Sequence, residues 1–245
     1  MTTDTLYIVY TACAAAMACG LSVAALFAAL RERYRTGHDT ILRAKYLHGL
    51  MLALENNGRQ IPYFPLFGHY GTRRLLCEAV AGVVALTYGL DSGRLRHVVE
   101  HYSLDRWMLR HARRRRGYRR AHALAVLSCL SSDERMAVSV EPYLRSRNRY
   151  VRFYALAVQL SVDPAHALHR IGGYSGVLSA SEVSELMALL RRGILPLAYG
   201  PLLEARPANL RRVGLAIVRQ FGIEEAEGRL LQFVADTSDP DLGRE

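Results

Sequence analysis

From Leu6 to Leu30 the chain runs 25 residues without a charged side chain or a proline. Wound as an α-helix, that run is about 37 Å long. It is enough to cross a hydrocarbon core of about 30 Å with some tilt. A cleaved signal peptide needs a basic start and a shorter apolar stretch, and Met1–Thr5 carries only the acid Asp4. A lipoprotein signal needs a small-residue box before a cysteine. Ala16-Met17-Ala18-Cys19 is a poor match, and the apolar run continues past it. The pattern predicts a short tail over 1–5 and a transmembrane helix over 6–30, with a buried core helix as the alternative.

The flanks of the run are unequal. Tyr7 and Tyr10 sit at one end as interfacial aromatics do, and Arg31, Arg33, Arg35, Arg43 and Lys45 follow the other. A basic flank stays in the cytoplasm, so the N-terminus is expected outside and the body inside, on a single-pass protein of the cell (inner) membrane. Within the span, Ala12, Ala16, Gly20, Ala24 and Ala28 recur every fourth residue, a ladder that permits close helix packing in the membrane. The abundance of alanine there also produces such a ladder by chance.

The charge follows the same division. Lys45 is the single lysine against 31 arginines, and the net charge is +10. Residues 31–120 hold 18 basic side chains against 7 acidic ones, whereas residues 121–245 hold 14 of each. The excess therefore lies next to the expected span. With 51% hydrophobic and 22% charged residues, the chain is neither disordered nor collagen-like. Four cysteines without paired spacing make neither a disulfide framework nor a zinc site.

The body reads as helical throughout, with no alternating strand pattern. Asp39–Leu54 is expected as an amphipathic helix that buries Ile41, Leu42, Ala44, Tyr46, Leu47, Leu50, Met51 and Leu54 and turns Arg43, Lys45 and His48 outward. Gly58–Gly71, with Pro62 and Pro65, reads as a loop that closes a basic juxtamembrane segment over 31–72. Arg73–Tyr88 follows as a helix too short and too charged, with Glu78 inside it, for a second span. Further on, Asp133 and Asp163 are expected as N-caps, with Pro164 at the first helical position after the latter, and Ser179 with Glu182 forms a capping box. Gly172-Gly173, Gly193 and Gly222 are expected stops.

A repeat underlies these helices. Tyr118–Val126 matches Tyr150–Val158 at an offset of 32, and Leu210–Val218 repeats the pattern 60 residues later, leaving room for a divergent copy around 179–206. Paired helices of this kind bury their apolar faces only by stacking. The Val151-Arg152-x-x-Ala155-Leu156 register, the Asp163-Pro164 turn and the Leu210-Arg211-Arg212 start resemble HEAT repeats over 73–236. With the N-terminal run, the chain resembles bacterial single-pass membrane proteins that carry a cytoplasmic HEAT array. The resemblance implies an all-α fold, a transmembrane helix followed by an α-solenoid, whose array docks a partner protein and has no chemistry or cofactor of its own. Residues 237–245 read like the opening of another repeat or a disordered tail.

The remaining motifs define the alternatives. His97-Val98-Val99-Glu100-His101 matches the H-x-x-E-H signature of inverted zinc peptidases, in which His97 and His101 would bind the metal and Glu100 act as general base, with Glu182 or Glu185 as third ligand. Nine histidines in the chain also yield such a match by chance. Gly172–Gly176 lacks the spacing of a nucleophile elbow, and no phosphate-binding glycine loop or small-molecule substrate site is legible. Arg110, Arg113, Arg114, Arg115, Arg116, Arg119 and Arg120 form the densest basic cluster. Its favoured partner is an anionic lipid surface or an acidic protein, since each basic residue near lipid contributes about 1 kcal/mol. A solvated turn and a nucleic acid are the alternatives.

Overall fold

The computed structural model describes residues 37–55, 63–64, 70–86, 92–130, 133–192 and 199–231 apart from 229, together with Met17. The expected span 6–30 (Met17 aside), its ladder Ala12, Ala16, Gly20, Ala24 and Ala28, the flank Arg31, Arg33 and Arg35, and the tail 237–245 lie outside the described residues. Among the described residues there is no strand, and no helix is long and apolar enough to cross a membrane.

Helices follow one another along the chain: α1 (37–55), α2 (Tyr70–Leu86), α3 (Ser92–His101), α4 (Leu104–Arg114), α5 (Gly117–Leu130), α6 (Glu134–Val140), α7 (Arg149–Val162), α8 (Ala167–Gly172), α9 (Ala180–Arg192), α10 (Tyr199–Leu203) and α11 (Ala208–Phe221). α2 starts at Tyr70, so the last two residues of the expected Gly58–Gly71 loop are helical.

Most of the terminal signals work as expected. Asp133 accepts the Arg135 N–H at 3.0 Å and opens α6. Asn148, not among the expected caps, accepts the Val151 N–H at 3.2 Å and opens α7. The Ser179 N–H donates to Glu182 Oε2 at 2.8 Å while the Glu182 N–H donates to Ser179 Oγ at 3.4 Å, the reciprocal box that starts α9. Gly222 closes α11 at φ 57°, a left-handed value that glycine adopts at no steric cost, and the Ile223 N–H then bonds the Val218 carbonyl at 3.3 Å. Asp163 departs from expectation. Its side chain caps no backbone N–H, and instead binds Arg170 at 2.8 Å and His166 at 2.9 Å.

The helices bury two main cores that share one helix. α1, α2, α3, α4 and α5 meet around Tyr46, Leu76, Leu95, Met108 and Leu124. α8, α9 and α11 meet around Ile171, Leu186 and Ile217. α7 belongs to both, because its apolar residues run all the way round. Val151, Ala155 and Val158 face the first core, whereas Phe153, Leu156 and Leu160 face the second. Such a helix must be enclosed on both sides, and α7 packs on α5 and on α9. α11 packs on α9 and on α10. At Gly214 a β-carbon would stand 3.0 Å from Leu202 Cβ and 3.2 Å from the Leu203 backbone nitrogen, so glycine sets how closely α10 approaches.

α1 corrects one expectation. Tyr46, Leu50, Ala53 and Leu54 enter the core, and Tyr46 meets the Phe64 ring edge-on at 5.6 Å. Ile41, Ala44, Leu47 and Met51, expected inside, are exposed, as is Leu52. Arg43 and Lys45 are exposed as expected, with Arg43 reaching Glu78 of α2 at 3.3 Å. The helix carries two apolar arcs, and the core has room for one.

Candidate docking surface

The three copies of the repeated pattern fall on the first turns of α5, α7 and α11, and an arginine holds the same place in each. Arg120 Nε donates to the Ala112 carbonyl at 3.2 Å. An Arg152 guanidinium nitrogen donates to the Ser146 carbonyl at 2.8 Å and the Arg147 carbonyl at 3.3 Å. An Arg212 guanidinium nitrogen donates to the Leu178 carbonyl at 3.0 Å. Arg120 and Arg152 tie a carbonyl of the segment just before their helix to its head, whereas Arg212 reaches back past α9 and α10 to the loop before α9. Carbonyls near helix ends and turns need such donors, which explains why arginine recurs in the register. Arg120 also lies 5.1 Å from the Tyr143 ring centroid, a cation–π contact.

The basic cluster thus separates into two sets. Arg120 is half-buried and engaged within the fold, and Arg115 is half-buried. Arg110, Arg113, Arg114, Arg116 and Arg119 are exposed. Arg113 and Arg114 complete the last turn of α4, where cations oppose the negative end of the helix dipole. The local potential registers on His111, which stacks on Trp107 with ring centroids 5.3 Å apart. Burial first, and then Arg115, Arg74 and His122, push its pKa below the ordinary histidine value.

Two tyrosines extend this surface. Tyr118 is 76% exposed and Tyr150 is 60% exposed, at matching places in the repeat. Exposed arginines flank both, Arg116 and Arg119 beside one and Arg147 and Arg149 beside the other. Counting charge does not find these phenols, and counting aromatics assigns them to the core. Their place at the head of the repeated helix is the signal that finds them. Next to them, Arg149 forms a two-pronged pair with Glu182 at 3.0 and 2.6 Å. Burial alone pushes the Glu182 carboxyl upward, yet the bonds from Arg149 and Ser179 hold it below its ordinary value. Tyr154 is pushed up to about 12 by burial and by Glu185, which lies 3.4 Å from its hydroxyl.

An open groove of about 240 Å³ runs between α9 and α11, floored by Val183, Met187 and Ala216 and edged by Arg212 and Arg219. Apolar side chains line it together with the exposed Arg219, while Arg212 is buried and bonded to the Leu178 carbonyl.

The H-x-x-E-H motif falls at the end of α3. His97, Glu100 and His101 are all exposed, and Glu100 is paired with Arg96 at 2.7 Å. Glu182 is held by Arg149 and Glu185 stands against Tyr154. Among the described residues no three metal-ligating side chains come together. His166 and His169 are exposed, and Cys77 and Cys129 are free thiols.

Asp163 gives a pH-dependent test of the α7–α8 turn. The Arg170 bond, and then the His166 bond, bring its carboxyl from 3.8 down to about 2. A lowered folded-state pKa contributes stability that is present above the unfolded value and lost as pH falls through the folded one. The denaturation midpoint of Asp163→Asn is therefore expected to fall less steeply than the parent's between about pH 4 and pH 2. Parallel curves would show that the two bonds do not form in solution.

Comparison with protein families, with curated proteins and with solved structures gives no match to this chain.

Proposed function

We propose that the chain is a single-pass protein of the cell (inner) membrane whose HEAT-like solenoid docks an acidic partner protein at the cytoplasmic face. One observation carries this reading: α5, α7, α9 and α11 pack one on the next in sequence order, and the copies on α5, α7 and α11 share an arginine that donates to a backbone carbonyl outside its own helix. A row of equivalent helices is how solenoids build an extended binding surface. The exposed arginines, Tyr118 and Tyr150 lie at the head of that row, and tyrosine and arginine are the side chains most enriched where partners bind tightly. The uncharged run 6–30 and its basic flank support the anchor and its orientation. Anionic lipid is the second surface within reach of the basic half.

Exposed phenols beside guanidiniums favour one other reading, since single-stranded nucleic acid stacks on aromatics within basic grooves. Salt separates the two. Retention of a short single strand by the detergent-solubilised chain, falling steeply from low to physiological salt, would favour nucleic acid. Recovery of one acidic protein at physiological salt, lost when Arg113, Arg114, Arg116 and Arg119 become Gln, is the outcome expected here.

A further inference from the structure

We propose that α1 lies in the headgroup layer of the membrane, with the side formed by Ile41, Leu47, Met51 and Leu52 turned toward the acyl chains. The proposal rests on the anchor described above. At 3.6 residues per turn, Tyr46, Leu50, Ala53 and Leu54 occupy the side that enters the core. Leu47, Met51, Ala44, Ile41 and Leu52 span an arc of about 140° on the opposite side. Ile41 is 62% and Met51 56% exposed. Single exposed apolar residues are ordinary, but four large ones on one side of one helix form a patch, and patches mark interaction sites.

The chain itself says what covers this one. Six residues, 31–36, separate the uncharged run from the first described residue of α1. Fully extended they reach at most about 22 Å, so a helix that follows a membrane span cannot travel far from the surface. Three of the six, Arg31, Arg33 and Arg35, are basic against the single acid Glu32. Lys45 borders the apolar arc on one edge, where a long basic side chain lays its stem on apolar surface and keeps its head at the phosphates. Thr40, His48 and Glu55 are the polar residues within the arc. An exposed apolar face with a lysine at its border and basic residues just before it in the chain is the pattern of helices that lie in the interface plane. Laid down in this way, α1 fixes the orientation of the array it packs against, because Tyr46 and Leu50 on its other side are part of the first core.

Trp107 is the only tryptophan, so a Trp107→Phe background allows single-tryptophan probes in the full-length chain. Met51→Trp, Ile41→Trp and Phe27→Trp would each be reconstituted into phosphatidylglycerol–phosphatidylethanolamine vesicles, once with brominated acyl chains and once with aqueous iodide. Positions 41 and 51 are exposed, so these substitutions leave the core intact. The expected result is that probes 41 and 51 lose most of their emission to the brominated chains and little to iodide, as does probe 27. Quenching of 41 and 51 by iodide, with 27 quenched by lipid, would overturn the interfacial helix and leave the anchor standing. A probe at 27 unaffected by lipid would overturn both. Probes at 41 and 51 shielded from both quenchers would show protein on this face, and would overturn the proposal equally.

Discussion

Phe153→Ala is expected to lower stability by about 3–5 kcal/mol, the cost of emptying a large aromatic from a core that cannot close over the gap. Phe153 is 1% exposed and stands in the second core with Leu156, Leu186 and Ile217. It lies on α7, the helix whose opposite side closes the first core, so a hole there weakens the link between the two halves as well as its own packing. Denaturant unfolding of the full-length chain in detergent micelles, followed by circular dichroism, reads the change. Tyr150→Ala, on the first turn of the same helix but exposed, is expected to stay within about 0.5 kcal/mol. Equal losses from the two would show that α7 is not enclosed on both sides.

Asn209→Leu has the next largest expected effect, about 2–4 kcal/mol. The Asn209 side chain is buried at the head of α11 and serves three backbone groups of the preceding segment. It accepts the Leu178 N–H at 3.0 Å and donates to the Gly176 carbonyl at 2.8 Å and the Tyr174 carbonyl at 3.4 Å. Leucine keeps the volume and removes all three partners. Buried polar groups left without partners cost more than the net value of the lost bonds. Melting of the α9–α11 region before the rest of the chain, resolved by hydrogen exchange, is the expected signature. A variant that melts like the parent would place these carbonyls in water.

The repeat was legible because arginine, alanine and leucine hold fixed places on α5 and α7, and the arginine has a structural job that the sequence cannot omit. Capping was legible at Asp133 and at Ser179–Glu182 for the same reason, since orphan N–H groups require a short polar side chain at that place. Asp163 shows where local rules stop. An aspartate before proline fits a cap, but Arg170 lies seven residues downstream and a charged partner outcompetes a backbone N–H. α1 shows the same for hydrophobic pattern. The pattern there reads as one buried apolar side, but which of its residues meet the core depends on where α2 and Phe64 sit. The candidate surface was half legible. The arginine cluster stood out by charge, whereas its division into engaged Arg120 and exposed Arg113, Arg114, Arg116 and Arg119 required the geometry, as did the exposure of Tyr118 and Tyr150.

Docking by the α5–α7 head is tested most directly by photo-crosslinking in intact cells. A photoreactive amino acid would replace Tyr118 or Tyr150 in the full-length chain, with Val138 on α6 and Leu168 on α8 as exposed positions outside the α5–α7–α9–α11 row. The expected result is one acidic protein captured from both tyrosine positions and from neither control, and lost when Arg113, Arg114, Arg116 and Arg119 become Gln. Capture from all four positions alike, or adducts with nucleic acid alone at 118 and 150, would contradict it.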